Sequence, residues 1–169
     1  MNKITYLDGT RWHRALVAGT SNVIYRQEYL NKINVFPVPD GDTGTNMTFT
    51  LTSILDSTVQ KIHPRADDML AIVADAALDG ARGNSGVILA QFFQGLSDGA
   101  SGIDKMSPKN FAKAVKFGAE YARLALTEPK EGTILTVLTD FSNHLIELIE
   151  SKNYDFEHLL EMGIKEAEK

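Results

Sequence analysis

The chain has 169 residues, of which 43% are apolar, and this is enough to bury one core, so a single domain is expected over residues 1–169. It contains no cysteine, which excludes disulfides and thiolate metal sites, and its formal net charge of −5 argues against a nucleic-acid surface. No apolar run is long enough to cross a bilayer and no leader of signal-peptide type opens the chain, so we expect a cytoplasmic protein without a membrane span.

The first predicted helix covers residues 9–31, because apolar side chains such as Trp12 and Leu16 recur there at roughly helical spacing. Tyr25 and Tyr29 stand four residues apart on one face of this helix. That spacing favours a packed aromatic pair over a role in substrate binding.

Segment 34–47 holds two prolines, two glycines and two carboxylates between longer helical patterns. Proline fixes its own φ and pushes the preceding residue toward extended geometry, so we expect residues 36–39 to run straight. Residues two apart on an extended chain share a face, which would align Asp40 with Asp42. Adjacent carboxylates repel each other unless a cation or a proton lies between them, and hard oxygen ligands favour magnesium, calcium or manganese.

The next helix is predicted over about residues 45–56, with Thr43 or Thr45 as its cap. The unpaired N–H groups and the positive dipole end of such a helix suit an anion. Carboxylates beside a helix start therefore predict a metal-phosphate site.

Three other interpretations address the same segment. A plain surface turn stays open, since proline, aspartate and glycine are all common turn formers. An EF-hand is excluded, because counting from Asp40 its sixth and twelfth positions are Thr45 and Leu51 rather than glycine and glutamate. A phosphoaspartyl enzyme is the weaker alternative, since it would need a buried strand where this chain has prolines.

A helix predicted over residues 66–79 ends at segment 80–86, which contains three glycines. Glycine lets a backbone approach a ligand closely, and a helix over residues 87–96 would begin here with Asn84 or Ser85 as its cap. No Walker lysine follows and no strand precedes, so the segment is neither a P-loop nor a dinucleotide fingerprint. It predicts either a second phosphate-binding turn or a tight turn between helices.

Three more helices are predicted, each from a capping residue. Ser107, followed by proline, starts one, Thr133 starts the next after the loop at 128–132, and Asp155 starts the last. The last pattern ends in the charged run 165–169, which is typical of a solvated helix face or of a longer chain that has been cut.

No alternating strand pattern occurs, so the predicted fold class is all-α, an antiparallel bundle of about seven helices. Segments 34–46 and 80–86 each precede a helix. Helices of matching direction in an up-down bundle begin at the same end, which would let one ligand touch both segments.

The two segments, which read NVFPVPDGDTGTNM and GARGNSG, resemble the nucleotide-binding domain of the dihydroxyacetone kinase L-subunit family. They are most similar to its bacterial branch, the N-terminal domain of fatty acid kinase A, and the resemblance covers nearly the whole chain. It implies an antiparallel barrel of eight helices that binds ATP with two Mg²⁺ ions at one end.

Matched by position, the resemblance implies three kinds of contact. Asp40 and Asp42 match metal ligands, and because the dihydroxyacetone kinases carry a third aspartate where this chain has Val35, the amide oxygen of Asn34 is a further candidate ligand. The implied nucleotide contacts are the helix start Thr43, Gly44, Thr45 and Asn46, the second loop Gly83, Asn84, Ser85 and Gly86, and the third loop Gly132 and Thr133.

The resemblance also implies a reaction, the transfer of the γ-phosphate of ATP to a fatty acid carboxylate presented by a separate fatty-acid-binding carrier protein. The alternatives are a dihydroxyacetone-type kinase subunit and a nucleotide-sensing module without turnover. No general base is evident, and a homodimer is left open. The family's last helix and a downstream nucleotide loop have no counterpart before Lys169, so we expect a truncated domain that downstream domains of the same chain complete.

Overall fold

The computed structural model describes residues 3–151 and 154–169, and this part of the chain consists of helices joined by loops, without a strand. It confirms the predicted all-α class and the predicted number of helices. In chain order the helices are α1 (Gly9–Ile33), α2 (Thr43–Thr58), α3 (Ala66–Asp79), α4 (Gly83–Gly99), α5 (Pro108–Leu124), α6 (Ile134–Ser151) and α7 (Phe156–Ala167).

Four helices begin where the sequence supplies a side-chain acceptor for the first-turn N–H groups. The acceptors take hydrogen bonds of 2.9 to 3.2 Å from N–H groups two or three residues ahead. These residues are Asp8, Ser107, Thr133 and Asp155. The last three confirm the helix starts predicted from the sequence.

The helices α2 and α4 begin earlier than predicted. Their N-caps are Asp42 and Arg82, and neither side chain makes a capping hydrogen bond. The residues predicted as caps lie inside the helices instead, so that prediction is wrong for Thr43, Thr45, Asn84 and Ser85.

Each helix packs against the next one in the chain, and α1 also packs on α3 and α2 on α4. Because neighbours run in opposite directions, α2, α4 and α6 all begin at one end of the bundle, here called the site end. The opposite end is held by aromatic rings from the first turns of α1, α5 and α7. The ring of Phe111 lies 5.7 Å from that of Trp12 and 5.5 Å from that of Phe156.

A smaller apolar cluster of Ile88, Ala122 and Leu135 joins α4, α5 and α6 near the site end. Further along the same interface, α4 and α5 touch through glycine. A Cβ atom at Gly95 would lie 2.5 Å from the carbonyl oxygen of Phe117. The start of α4 is therefore carried on a tightly packed helix pair.

The outward face of α1 differs from expectation. Tyr25 is 83% exposed and Tyr29 is 57% exposed, so the predicted packing of these rings is wrong. As for membrane insertion, no helix in the described ranges combines the length and the apolar character needed to cross a bilayer.

Candidate functional site

Asn34 organises the loop that carries the two aspartates. Its Oδ1 accepts hydrogen bonds from the N–H groups of Asp42 and Thr43 at 3.2 and 3.3 Å, and its Nδ2 donates to the carbonyl of Val38 at 3.1 Å. A carbonyl oxygen has two lone pairs, and here each one has an N–H partner. For Asn34 to ligate a metal ion, as predicted, this loop would have to rearrange.

The loop is bent, not extended. The chain bends at Phe36 and Pro37, which are joined by a cis peptide bond, and Gly41 has a φ of +66° in the left-handed region that glycine tolerates. The expected straight run that would align Asp40 with Asp42 by alternation is therefore wrong. The turn at Gly41 instead leads the chain into α2, with Asp42 as the N-cap.

The carboxylates of Asp40 and Asp42 are not used by the fold. Asp40 is exposed and Asp42 is half-buried. Neither carboxylate forms a hydrogen bond or an ion pair with a residue in the described ranges. Both are therefore available to a cation, which would also relieve the repulsion between two negative charges so close in the chain.

The first turn of α2 is fastened to α1 by Asn31. The side-chain oxygen of Asn31 accepts from the N–H of Thr45 at 3.1 Å, and its Nδ2 donates to the hydroxyl of Thr45 at 3.0 Å. Gly44 lies flat against α1, since a Cβ atom there would come within 2.9 Å of Leu30 Cβ. The position of Thr43 is set by this contact.

Most amides at the start of α2 already have acceptors. The N–H of Thr43 donates to Asn34, that of Thr45 to Asn31, and that of Asn46 to the carbonyl of Asp42 at 2.9 Å. Of the four residues predicted to contact phosphate here, only Gly44 keeps an N–H without an acceptor in the described part of the chain. Apart from the N–H of Gly44, this turn can therefore bind a ligand only through its hydroxyl and amide side chains.

In the first turn of α4, by contrast with α2, most backbone amides have no acceptor in the described part of the chain. The N–H of Gly86 donates to the carbonyl of Arg82 at 2.9 Å and closes the first helical turn. The three amides before it, those of Gly83, Asn84 and Ser85, have no acceptor among residues 3–151 and 154–169. Three outward N–H groups at a helix N-terminus suit an oxyanion.

The two turns meet directly at the site end. The hydroxyl oxygens of Ser85 and Thr43 are 3.4 Å apart, and Gly83, at a φ of +55°, packs against the side-chain amide of Asn46. Beneath them, the hydroxyl of Thr50 in α2 lies 3.2 Å from the carbonyl oxygen of Gly80. The prediction that segments 34–46 and 80–86 lie together is confirmed by these contacts.

Arg82 is exposed at the junction of the two turns, with its guanidinium carbon 5.7 Å from the centre of the Phe49 ring. Its guanidinium has no carboxylate partner within the described ranges. A cation held on an aromatic ring beside outward amides adds positive charge where an anion would lie.

The third predicted loop closes on itself. The N–H of Gly132 donates to the hydroxyl of Thr136 at 2.9 Å, and the hydroxyl of Thr133 donates to the carbonyl of Lys130 at 2.8 Å. Hydrogen bonds from Arg123 and then Thr136 hold the pKa of the Glu131 carboxyl below its ordinary value. The loop leads into Leu135, which packs on Ile88 in the second turn of α4, so it lies at the site end.

A surface cleft of about 390 Å³ lies between α4 and α5, one turn beyond the outward amides. Its walls are mainly apolar, with one amide and one phenol, and they consist of Val87, Gln91, Tyr121, Leu124 and Ala125. A flat, partly polar ring could occupy such a cleft while an attached anion reached the start of α4.

A comparison with protein families bears on this arrangement. The model of the DAK2 domain matches residues 37–169, which is more than three quarters of the chain. The chain belongs to the DAK2 domain family. This confirms the resemblance found in segments 34–47 and 80–86, and it makes the protein a member of a kinase-related, nucleotide-binding family.

The chain is similar to bacterial proteins that are considerably longer. It is 38% identical to protein YloV of Bacillus subtilis and 35% identical to an uncharacterized protein of Staphylococcus saprophyticus. Each match runs over 165 residues and covers 98% of this chain and 30% of the relative. The chain thus spans about a third of the length of these curated relatives.

Three features of the site are missed by the sequence patterns. In the sequence analysis Asn31 is only the last residue of a predicted helix. In the structure it is half-buried and lies about one helical turn after the half-buried Gln27, on the side of α1 that meets α2. Arg82 carries a signal as the one charged residue in segment 80–86. The cleft gives no signal, because its lining residues come from two helices and become neighbours only on folding.

Proposed function

We propose that the chain is the ATP- and magnesium-binding domain of a cytoplasmic kinase that transfers the γ-phosphate of ATP to a fatty acid carboxylate. The observation that carries the proposal is the pairing of two unused carboxylates at the start of α2 with three outward amides at the start of α4. Membership of a kinase-related family supports it.

Magnesium fits the residues that would hold it. Asp40 and Asp42 offer carboxylate oxygens alone, and Mg²⁺ binds through one or two carboxylates while the substrate phosphates and water complete its coordination. In the described residues no group of three or more His, Asp or Glu side chains is gathered around a common point. Bound between the carboxylates and the phosphates, two such ions would neutralise charge that develops during transfer.

The phosphate groups of ATP would be held at the start of α4. Its three outward amides and the hydroxyls of Ser85 and Thr43 can donate to phosphate oxygens, and Arg82, held over the Phe49 ring, supplies a positive charge. Phosphoryl transfer depends mainly on positioning the phosphates and on stabilising their charge, and these groups could provide most of both. The adenine ring would enter the cleft next to Val87 and Leu124. The third loop at Gly132 and Thr133 would approach it from α6, whose Leu135 packs on Ile88, the neighbour of Val87.

A carboxylate acceptor suits a site whose three loops contain no histidine to act as a general base. No histidine occurs in segments 34–46, 80–86 or 128–133, and the four histidines of the chain lie elsewhere. A hydroxyl acceptor must lose a proton during transfer, whereas a carboxylate is already ionised at neutral pH. Its oxygen would attack the γ-phosphorus while the bond to the bridging oxygen of ADP breaks, giving an acyl phosphate and ADP.

The acceptor would be presented by a separate fatty-acid-binding carrier protein, and other parts of the longer protein would help to dock that carrier. Two further candidates rest on the same site. A dihydroxyacetone-type kinase subunit would use the same nucleotide contacts with a hydroxyl acceptor, and a nucleotide-sensing module would bind ATP without turnover.

The experiment has two arms. Calorimetric titration with ATP is expected to give about tenfold or more tighter binding in Mg²⁺ than in EDTA, and equal affinity would contradict the metal site. In the second arm the full-length protein, fatty-acid-loaded carrier, ATP and Mg²⁺ are incubated and acyl phosphate is trapped with hydroxylamine. Tight Mg-ATP binding without trapped product would favour the sensing module. A phosphate adduct seen by intact-mass spectrometry on the parent protein but not on Asp40→Asn would favour a phosphoaspartyl enzyme.

A further inference from the structure

Arg82 and Phe49 form an exposed pair at the site end. Arg82 is the N-cap of α4 and directly precedes the three outward amides, and Phe49 lies in the second turn of α2, where it is 56% exposed. The guanidinium carbon of Arg82 lies 5.7 Å from the centre of the ring. A guanidinium group that lies over an aromatic face keeps N–H groups free to donate, so this pair presents a cation and an apolar surface side by side.

The charge of Arg82 is not used by the fold. Within the described ranges its guanidinium has no carboxylate partner, and Asp79, the nearest acidic residue along the chain, is exposed. Most other basic residues at the site end are held in ion pairs, which are Arg123 with Glu131, Lys130 with Glu128, Lys165 with Glu161 and Lys169 with Glu166. Lys32 has no such partner among the described residues, but its helix, α1, packs mainly on α2 and α3. Arg82 is therefore the unpaired cation that adjoins the outward amides.

The two flanks of α4 give the bound nucleotide a direction. The helix α4 packs against both α2 and α5. On the side of α5 lies the cleft proposed for adenine, lined by Val87 and Tyr121 among others. On the side of α2 lie Phe49 and the start of α2 with Asp42, a candidate metal ligand. With the base on one side and Mg²⁺ on the other, the terminal phosphate of ATP lies toward α2.

The geometry of phosphoryl transfer then fixes the side from which the acceptor approaches. The attacking and leaving oxygens lie roughly in line through the γ-phosphorus. Because ADP would leave toward the cleft, the acceptor carboxylate must approach from the side of α2, where Arg82 and Phe49 lie. A carboxylate and a triphosphate repel each other, and a guanidinium between them lowers that repulsion. Its planar array of N–H donors can hold a carboxylate in a two-point contact.

We propose that Arg82 and Phe49 form the acceptor site, in which the guanidinium binds the fatty acid carboxylate and the ring contacts the first carbons of the acyl chain. This inference rests on the proposed function, since it assigns residues to the acceptor of that reaction. In the reaction a carboxylate oxygen forms a bond to the γ-phosphorus, the bond to the bridging oxygen breaks, and ADP leaves with the electron pair. No proton is transferred, so Arg82 acts by binding and orienting the carboxylate.

The test compares fatty-acid-loaded carrier with empty carrier, each titrated into the full-length protein that holds Mg²⁺ and a non-hydrolysable ATP analogue. The difference between the two affinities isolates the contact with the fatty acid from contacts with the carrier protein. We expect the parent protein to bind the loaded carrier about tenfold or more tightly than the empty one, since a hydrogen bond between charged groups has that strength.

Arg82→Gln is expected to remove most of this difference and to leave the affinity for empty carrier unchanged. Arg82→Lys keeps the charge without the planar fork and is expected to restore part of the difference. Phe49→Ala is expected to reduce the difference a few-fold, because the acyl chain loses an apolar contact. The matched controls are Arg14→Gln and Phe117→Ala, the same changes at exposed positions in the second turn of α1 and the middle of α5. Both controls are expected to behave like the parent.

Two further measurements separate the acceptor from the nucleotide. Calorimetry is expected to show that Arg82→Gln lowers Mg-ATP affinity less than about fivefold, the range of an exposed charge pair, because the three outward amides remain. Acyl phosphate trapped with hydroxylamine is expected to form about tenfold or more slowly in Arg82→Gln at low concentrations of loaded carrier, since acceptor contacts are lost.

Each other outcome contradicts a separate claim. Equal binding of loaded and empty carrier by the parent, or a parental difference and a parental rate in Arg82→Gln, would overturn the acceptor site and leave the proposed function intact. A larger loss of Mg-ATP affinity in Arg82→Gln with an unchanged carrier difference would assign Arg82 to the nucleotide and overturn the inference. Absence of acyl phosphate from the parent, with Mg-ATP binding preserved, would overturn the proposed transfer and the acceptor site with it.

Discussion

Replacing Asp40 or Asp42 by asparagine removes a negative charge at nearly constant side-chain volume. We expect either change to lower Mg-ATP affinity about tenfold or more, because a neutral amide oxygen is a poorer magnesium ligand than a carboxylate. The melting temperature in the absence of ligand is expected to stay the same, since neither carboxylate has a partner in the described fold. Calorimetry and thermal denaturation measure the two effects.

Asp56→Asn is the matched control, because it makes the same change at an exposed position near the other end of α2. It should leave Mg-ATP affinity at the parental value. If Asp40→Asn and Asp42→Asn behave like this control, the metal assignment is wrong.

Gly83→Ala separates backbone strain from crowding of the site. Both Gly83 and Gly102 have positive φ, where an alanine costs about 1–2 kcal/mol, but only Gly83 has a neighbour in the way, the side chain of Asn46. We expect both Gly83→Ala and Gly102→Ala to lower stability, whereas only Gly83→Ala weakens ATP binding. Urea denaturation and calorimetry on the two variants check this, and equal ATP affinities would mean that the turn at Gly83 does not shape the site.

At the scale of the helices, features set by contacts within a few residues of chain could be predicted from the sequence. Features set by contacts between helices could not. The starts at Ser107, Thr133 and Asp155 were predictable because a cap is a contact within a few residues of chain. Segment 80–86 was predicted as a turn from its glycines, yet Gly83 to Gly86 form helix because they pack on Asn46 and Thr50 of another helix. That contact is not visible in a local pattern.

The same division applies to the site. The two segments and their shared end of the bundle followed from helix direction and could be predicted. The bend at Gly41 and the role of Asn31 could not, since both depend on how α1 and α2 pack. The sequence patterns were therefore enough to locate the site. Which of its N–H groups lack an acceptor could be seen only in the folded structure.

The start of α7 gives a pH-dependent prediction. The N–H and ring of His158 hydrogen-bond to Asp155, and these contacts, with weaker help from Lys3, hold the pKa of the Asp155 carboxyl below its ordinary value. A carboxyl whose pKa is lowered on folding adds stability above its unfolded pKa and loses that stability as the pH falls through its folded pKa. Asp155→Ala should thus lower the melting temperature at neutral pH, and the difference from the parent should shrink in acid.

Asp155→Asn is the informative companion, because asparagine caps a helix about as well as aspartate but does not titrate. It is expected to retain most of the stability at neutral pH and to lose the pH dependence. Melting curves across the acid range compare the three proteins, and a deficit of Asp155→Ala that stays constant with pH would show that ionisation of this group does not matter.

For the molecule as a whole, the two ends of the bundle have different compositions. The end opposite the site is closed by the packed rings of Trp12, Phe111 and Phe156, whereas the site end is built from glycine turns, hydroxyls and carboxylates. Local opening is easiest where few apolar contacts hold the backbone. Ligand binding is therefore expected to stabilise the site end much more than the rest of the bundle.

Hydrogen exchange tests this distribution. If one Mg-ATP molecule contacts all three loops, it should slow amide exchange together at the starts of α2, α4 and α6, because binding to the native state suppresses local opening wherever the ligand makes contact. Exchange in the connection between α4 and α5, at the opposite end, should change little and serves as the internal control. Protection at α2 and α4 without protection at Gly132 and Thr133 would remove the third loop from the nucleotide site and leave the other two, whereas uniform protection throughout the chain would mean that the ligand stabilises the fold globally and that the two ends open as one unit.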